Sequence, residues 1–289
     1  MDQTALAYEH LIERFIAWAE TCSDIRAAVV VGSRASVDRP ADEWADLDVV
    51  VVTTDPETYL AKVDWLENLG NVWITLLEPT ATGQGMERRA LFEGGLDVDF
   101  TIVPQEMFRR VMRDPQTIDV LRRGVRVLLN KDGLMPEGIP SPIEPPSSRP
   151  PTRTEFDEMI NDFWYHAVWT TKKLKRGELW TAKLCCDGYM KRLLLRMLEW
   201  HTRAMNGWHH DTWHNGRFLE VWADSRTLQG LRGAFAHYDE DDVRRALLAT
   251  VDLFRWLAIE TAEQLSYPYP TLADEHATEL VRKLLSEKT

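Results

Sequence analysis

Two pairs of aspartates stand at alternate positions in runs of apolar, β-branched residues: Asp46 with Asp48, and Asp97 with Asp99. Alternate side chains of a β-strand share one face of the sheet, so each pair can direct two carboxylates at one point. Carboxylate oxygens are the ligands that Mg²⁺ prefers, and a bound Mg²⁺ can offset the charge that develops on phosphates during nucleotidyl transfer. The pattern predicts a magnesium site at Asp46 and Asp48, with a third carboxylate from either Asp97 or Asp99.

The segment Gly32-Ser33-Arg34 directly follows the predicted strand Ile25–Val31. Glycine lets the backbone approach a ligand closely, and exposed N–H groups together with a serine hydroxyl can donate to a triphosphate. Arg34 could add positive charge. Gly-Ser and Asp-x-Asp are each common, but their order along the chain, followed by a later strand aspartate, indicates a nucleotidyltransferase.

These residues need strands and helices to position them. An amphipathic helix is predicted over Thr4–Thr21, and Asp46–Thr53 is predicted to be a central strand covered on both faces. Asp55 should cap a helix that starts at Pro56 and stops at Gly70. Three further strands are predicted over Val72–Glu78, Arg88–Phe92 and Leu96–Val103, with a hairpin turn at Glu93-Gly94-Gly95. A helix around Glu106–Arg113 and a last short apolar run, Val125–Leu129, follow them.

Composition changes sharply at residues 136–151, which contain seven prolines. Such a segment is typical of a semi-rigid extended linker. Beyond it the apolar spacing is helical almost throughout. We therefore expect an α/β (α+β) mixed-sheet catalytic domain over residues 1–135, the linker over 136–151, and a C-terminal helical bundle domain over 152–289.

The chain carries 46 acidic and 34 basic side chains, for a net charge of −12. This balance argues against binding to a nucleic-acid backbone and favours a cationic or neutral partner. Three cysteines, an N-terminus without a basic start and apolar run, and the lack of a membrane-length apolar segment predict a reduced, cytoplasmic protein with no membrane partner.

The sequence resembles the aminoglycoside 6-adenylyltransferases, which inactivate streptomycin, over nearly its whole length. In the first half the resemblance rests on Gly32-Ser33-Arg34, Asp46-Leu47-Asp48, Asp64-Trp65-Leu66 with Gly70, and Asp99–Pro104. In the second half it rests on Glu155-Phe156, Phe163-Trp164, Lys172, Leu174, Arg176, Glu178 and the segment Leu194–His201. The second set is the more informative, because the first also fits the wider nucleotidyltransferase superfamily.

The resemblance implies a nucleotidyltransferase-type domain and a helical domain, with ATP and aminoglycoside meeting between them. A drug hydroxyl, the 6-hydroxyl of streptomycin in the first instance, would attack the α-phosphate of MgATP and release pyrophosphate, which would confer antibiotic resistance. It also favours Asp99 as the third carboxylate, as general base or metal ligand, and leaves Asp97 as a residue near the substrate.

The resemblance further implies roles for polar residues of the helical half. Lys172, Lys191 and Arg196 are candidates for triphosphate binding, and Asp187 and Trp164 for contact with the drug. Lys191 stands where the resemblance leads us to expect Arg, and Asp187 where we expect Asn, which leaves the choice of substrate open.

Other interpretations remain at this stage. The acceptor could be another small molecule or a protein side chain, or the chain could be a nucleotide-binding regulatory module without catalysis. The nucleotide base, and whether the protein is a monomer or a homodimer, stay open. His210 and His214 have the i, i+4 spacing of zinc ligands, but a polar loop between helices explains that segment better.

Overall fold

The computed structural model describes residues 3–36, 40–80, 85–112, 118, 121, 123–134 and 148–287. The chain divides into two compact units, Met1–Glu144 and Pro145–Thr289. Of the predicted proline-rich linker, residues 136–147 lie outside the described part of the chain. Within that part, no helix is long and apolar enough to cross a membrane.

The first unit alternates helices with strands. Its elements are α1 (Gln3–Thr21), β1 (Ile25–Val31), β2 (Leu47–Thr53), α2 (Pro56–Ala61), β3 (Val72–Pro79), β4 (Met86–Phe92), β5 (Leu96–Pro104), α3 (Gln105–Val111) and β6 (Arg126–Asn130), with 3₁₀ turns at Gly32–Arg34 and Asp64–Asn68. The predicted strands are all present, and their ends differ from the prediction by no more than two residues.

Across the described residues the strands form a six-stranded sheet in the order β3-β4-β5-β2-β1-β6. β2 and β5 are parallel, and every other neighbouring pair is antiparallel. Parallel neighbours need a long crossover connection, which here runs through α2, β3 and β4. The fold is therefore a mixed α+β fold, as predicted, and β2 lies in the interior of the sheet.

The β2 side chains alternate between two cores, as the run of valines predicts. On one face Val49 and Val51 pack in a cluster that includes Phe15 of α1 and Phe100 of β5. On the other face Val52 packs in a cluster that includes Phe108 of α3. Burial on both faces fixes the register of β2, and with it the position of the aspartates at the start of that strand.

The helix predicted from Pro56 to Gly70 was wrong in its length. Asp55 caps it as expected, accepting from the Thr58 N–H, but α2 ends at Ala61 because Lys62 is extended, and a 3₁₀ turn follows at Asp64–Asn68. The Trp65 indole N–H donates to the carbonyls of Tyr59 and Lys62, at 3.3 and 3.1 Å. This side chain satisfies backbone groups that the break would otherwise leave unpaired.

The second unit contains only helices among its described residues. They are α4 (Arg153–Lys175), α5 (Leu179–Leu184), α6 (Met190–Asn206), α7 (Leu219–Trp222), α8 (Ser225–Ala234), α9 (Glu240–Leu265) and α10 (Thr271–Ser286), with a π-helical turn at Cys185–Tyr189 between α5 and α6. A capping box between Thr152 and Glu155 starts α4. Phe163 of α4 stacks on Phe254 of α9 inside the core.

Candidate functional site

Three carboxylates of the first unit converge near the start of β2, an interior strand of the sheet. Asp46, Asp48 and Asp99 each place an oxygen within 4.8 Å of the others. Asp48 on β2 and Asp99 on β5 are direct neighbours in the parallel pairing. Asp46 was expected inside the strand, but β2 begins at Leu47, so Asp46 lies immediately before it. The three oxygens are close enough to share one divalent cation.

Asp99 is the most buried of the three, with 5% of its surface exposed. Its Oδ2 lies 2.7 Å from Nη2 of Arg89, while its buried Oδ1 has no hydrogen-bond partner among the described residues. Burial raises the pKa of the Asp99 carboxyl to about 7, Arg89 opposes that rise, and the nearby acids Glu87, Asp46 and Asp97 add to it. A buried, unpaired oxygen beside two further carboxylates fits a bound divalent metal ion.

Asp97 shares the face of Asp99 on β5 but lies outside the group of three carboxylates. Its side chain is exposed, and its backbone N–H donates to the Tyr8 hydroxyl at 3.1 Å. The alternation of the strand could not distinguish Asp97 from Asp99. The register of β5 against β2 distinguishes them, because it places Asp99, not Asp97, beside Asp48.

The Gly-Ser turn lies against the carboxylates. Gly32 has a φ of +67°, and a Cβ atom built on it would lie 2.1 Å from Oδ2 of Asp48. Ser33 has a buried hydroxyl without a partner among the described residues. Ser33 also lines a cavity of about 360 Å³, together with Arg34, Ser36 and Arg126. Glu9 also lines this cavity and accepts from Arg126 at 2.7 and 2.8 Å, so the feature that suits a phosphate group is the Ser33 hydroxyl, without a partner among the described residues and close to the carboxylates.

Arg34 is engaged differently from the direct phosphate contact that the sequence suggested. Its Nε donates to the Asp46 carbonyl at 3.0 Å, its Nη2 donates to the Ala45 carbonyl at 2.5 Å, and its guanidinium lies 3.4 Å from the centre of the Tyr8 ring. Arg34 therefore anchors the segment that carries Asp46.

Lys191, a predicted triphosphate contact, has a buried side chain. Only 9% of its surface is exposed, and its Nζ donates to the Cys186 carbonyl at 2.9 Å and to the Thr250 hydroxyl at 2.8 Å. Burial lowers the pKa of this ammonium. Its donors are directed into the helical core, and contact between Lys191 and a triphosphate stays a prediction.

Trp164 and Asp187, the two predicted drug contacts, also interact with other residues of the helical unit. Trp164 is 2% exposed and packs edge-on against Phe163, which makes it a core residue of its unit, and its contact with the drug stays a prediction. Asp187 accepts from Lys183 and from the Ala236 N–H, the latter at 3.3 Å. The remaining two candidates, Lys172 and Arg196, are exposed.

Sequence reasoning missed Arg89, which forms the ion pair with Asp99. Arg89 lies within the predicted strand Arg88–Phe92. The hairpin turn predicted at residues 93–95 determines which residue of the next strand lies opposite it. In the observed hairpin Phe92 pairs with Leu96, which places residue 89 opposite residue 99. Counting back from the turn would have identified the pair.

Comparisons with known proteins agree with the resemblance seen in the sequence. A family model described as streptomycin adenylyltransferase matches residues 7–284. An aminoglycoside 6-adenylyltransferase of Bacillus subtilis (strain 168) is 25% identical over 269 residues, covering 91% of this chain and 92% of the relative. Another of the same name, from Campylobacter jejuni, is 26% identical over 273 residues, covering 92% of each chain. The crystal structure of an aminoglycoside 6-adenyltransferase from Bacillus subtilis aligns over 96% of this chain and 98% of that one, at 22% identity and a TM-score of 0.47.

Proposed function

The chain belongs to the streptomycin adenylyltransferase family, and on that premise we propose that it transfers the adenylyl group of ATP to a hydroxyl of an aminoglycoside. Streptomycin, at its 6-hydroxyl, is the first acceptor to test. The structural observation that carries the proposal is the convergence of Asp46, Asp48 and Asp99, with one buried oxygen unpaired. Adenylylation would inactivate the drug.

The reaction joins the drug hydroxyl oxygen to the α-phosphorus of ATP. The bond between that phosphorus and the oxygen bridging to the β-phosphate breaks, and pyrophosphate leaves with the bond's electron pair. Mg²⁺, when bound, would supply positive charge to the phosphates. Asp46 and Asp48 would hold it. The hydroxyl proton must pass to a base or to solvent.

Asp99 suits either of two roles in this scheme. Its unpaired Oδ1 supports a place as the third metal ligand, and a pKa of about 7 supports acceptance of the hydroxyl proton. We propose the ligand role. Metal affinity separates the two, because replacing a ligand weakens binding of the ion, whereas replacing a base slows turnover and leaves binding of the ion unchanged.

The phosphate arm of ATP would meet the Gly-Ser turn. The Ser33 hydroxyl is buried and unpaired among the described residues, and the adjoining cavity has Arg126 in its wall. Gly32 keeps the backbone close to Asp48, so phosphate donors and metal ligands lie side by side. Lys172 and Arg196 remain candidates for additional charge on the triphosphate. Arg34 would act indirectly, by anchoring the Asp46 segment.

Aminoglycosides are polycations, and the net charge of −12 favours their approach to this protein over that of a nucleic acid. The alternatives are another small-molecule or protein acceptor, and a module that binds nucleotide without catalysis. An aminoglycoside panel with ATP, GTP, CTP and UTP, read by pyrophosphate release and by the mass of the product, distinguishes them. We expect release that requires ATP, Mg²⁺ and streptomycin together. Normal binding of MgATP without drug-dependent release would contradict the proposal.

A further inference from the structure

Arg89 on β4 lies directly opposite Asp99 on β5, and its Nη2 is 2.7 Å from Oδ2 of that carboxylate. We propose that Arg89 is the positioning residue for the third metal-binding carboxylate: it holds Oδ2, so that Oδ1 is directed at the cation. This inference rests on the metal role proposed above for Asp99.

Arg89 belongs to a chain of charges that crosses neighbouring strands. Its Nε lies 2.7 Å from Oε1 of Glu78 on β3 and 3.4 Å from Oε1 of Glu87 on β4. Glu78 pairs with Glu87 in the sheet, and Glu87 and Arg89 share a face because they are two residues apart. Glu78 on the edge strand β3 thus helps to hold the Arg89 guanidinium in place. Asp99 is the innermost of these charged side chains and lies beside Asp48.

An ion pair on a protein surface contributes little to the free energy of folding, but in this pair one partner, Asp99, is buried. Arg89 is about two-fifths exposed, while Asp99 is 5% exposed with Oδ1 unpaired among the described residues. Removing the guanidinium would take from the carboxylate the positive charge that lies 2.7 Å from Oδ2 and holds that oxygen by ion pairing. Metal-binding carboxylates generally have their second oxygen held in this way.

Arg89 also carries a positive charge, which by itself would repel a metal ion. Glu78 and Glu87 offset that charge, since both lie within ion-pair distance of the same guanidinium. The net repulsion on a cation at Oδ1 is therefore small, and the orienting contact dominates. The sign of the effect follows: loss of Arg89 should weaken metal binding.

The test is Mn²⁺ binding to the full chain without nucleotide or drug, with free Mn²⁺ measured by electron paramagnetic resonance. We expect Arg89→Gln to raise the dissociation constant about 10- to 100-fold, in the range of other outer contacts to metal ligands. Arg89→Lys should recover part of the affinity, because an ammonium can still donate to Oδ2. Glu78→Gln, which loosens Arg89 without touching Asp99, should weaken Mn²⁺ binding to a smaller extent.

Arg26→Gln is the matched control. Arg26 forms a bidentate pair with Asp132 in the same unit, outside the carboxylate group, and its loss should leave Mn²⁺ affinity unchanged. Melting temperatures of all variants check the fold, and Arg89→Lys with Glu78→Gln carry the test if Arg89→Gln is unstable.

Three results would overturn the inference. If Asp99→Asn weakens Mn²⁺ binding while Arg89→Gln binds as the wild type does, Arg89 is only a surface ion pair. If Arg89→Gln binds Mn²⁺ more tightly, the residue competes with the metal. If Asp99→Asn itself binds Mn²⁺ normally, the metal role of Asp99 fails, and with it this inference, whereas drug-dependent pyrophosphate release would still support the proposed reaction.

Discussion

Gly32 and Asp48 fit together so closely that residue 32 has no room for a side chain. A Cβ atom at this position would lie 2.1 Å from Oδ2 of Asp48, and the φ of +67° disfavours any other residue as well. The turn that is proposed to bind phosphate and the strand that carries a metal ligand therefore constrain one another.

Gly32→Ala should displace the Asp48 carboxylate and lower kcat/KM about 100-fold, because shifts of about 1 Å at a reacting centre have effects of this size. Gly95→Ala is the matched control: Gly95 also has a positive φ, +77°, but no atom of the described residues lies within 4 Å of its Cβ position. We expect it to lose about 1 to 2 kcal/mol of stability and to keep its activity. Equal kinetic losses in both variants would show that the contact with Asp48 is immaterial.

Asp48→Asn should abolish measurable turnover, with a loss of roughly 1,000-fold or more, because a neutral amide is a poor ligand for Mg²⁺. The fold should remain intact, since Asp48 is not part of the apolar core. Drug-dependent pyrophosphate release and circular dichroism measure the two effects. Full activity in this variant would remove the site assignment.

Asp97→Asn and Asp99→Asn test which acid of β5 is the third ligand. Only Asp99 lies in the group of three carboxylates, so Asp99→Asn should weaken Mn²⁺ binding and turnover together, while Asp97→Asn should retain most of both. Calorimetric titration of Mn²⁺ into each variant makes the comparison. If Asp97→Asn weakened Mn²⁺ binding more than Asp99→Asn did, Asp97 rather than Asp99 would be the third metal ligand.

The strands were predictable because local pattern decides them, and the run of valines marks β2 with Asp48 at its start. Asp46 lies just before that strand, and the choice of Asp99 over Asp97 depended on the register of β5. Side-chain hydrogen bonds between residues that meet only in the folded protein were not predictable from local pattern. At the end of α2 the Trp65 indole N–H donates to carbonyls of the preceding turn, and the buried Lys191 ammonium donates to Thr250 of a distant helix. A period of 3.6 identifies the faces of a helix, but not what covers each one.

Lys191→Met should reduce the free energy of unfolding by about 1 to 3 kcal/mol, because the Cys186 carbonyl would lose a buried donor. It should leave the KM for ATP unchanged. Lys172→Met, at an exposed position, should have the opposite profile: an unchanged melting temperature and a KM for ATP raised about five-fold, if Lys172 contacts the triphosphate. Urea denaturation and initial rates separate the two lysines. A raised KM in Lys191→Met with normal stability would support its predicted role.

Glu199→Gln should stabilise the protein in a pH-dependent way. Burial raises the pKa of Glu199 from 4.5 to about 6, against the opposing charges of Arg203 and Arg196. The folded state then holds a proton that the unfolded state releases, so this group's contribution to stability falls as pH rises from 4.5 to about 6.

Glutamine does not titrate, so the gain in Glu199→Gln should be small below about pH 4.5 and reach at most about 2 kcal/mol above about pH 6.5. Urea unfolding on either side of this window measures it. The exposed Glu158→Gln serves as control, with little change expected at either pH. A gain that is the same at both pH values would contradict the explanation by burial.

The parallel pairing of β2 with β5 has a consequence for how the protein assembles. Asp48 and Asp99 become neighbours only after the intervening chain, with α2, β3 and β4, has closed into a loop and returned to β2. Contacts between such distant segments form against a loop-closure entropy and tend to come late. Acquisition of metal affinity during refolding would thus report when β5 pairs with β2.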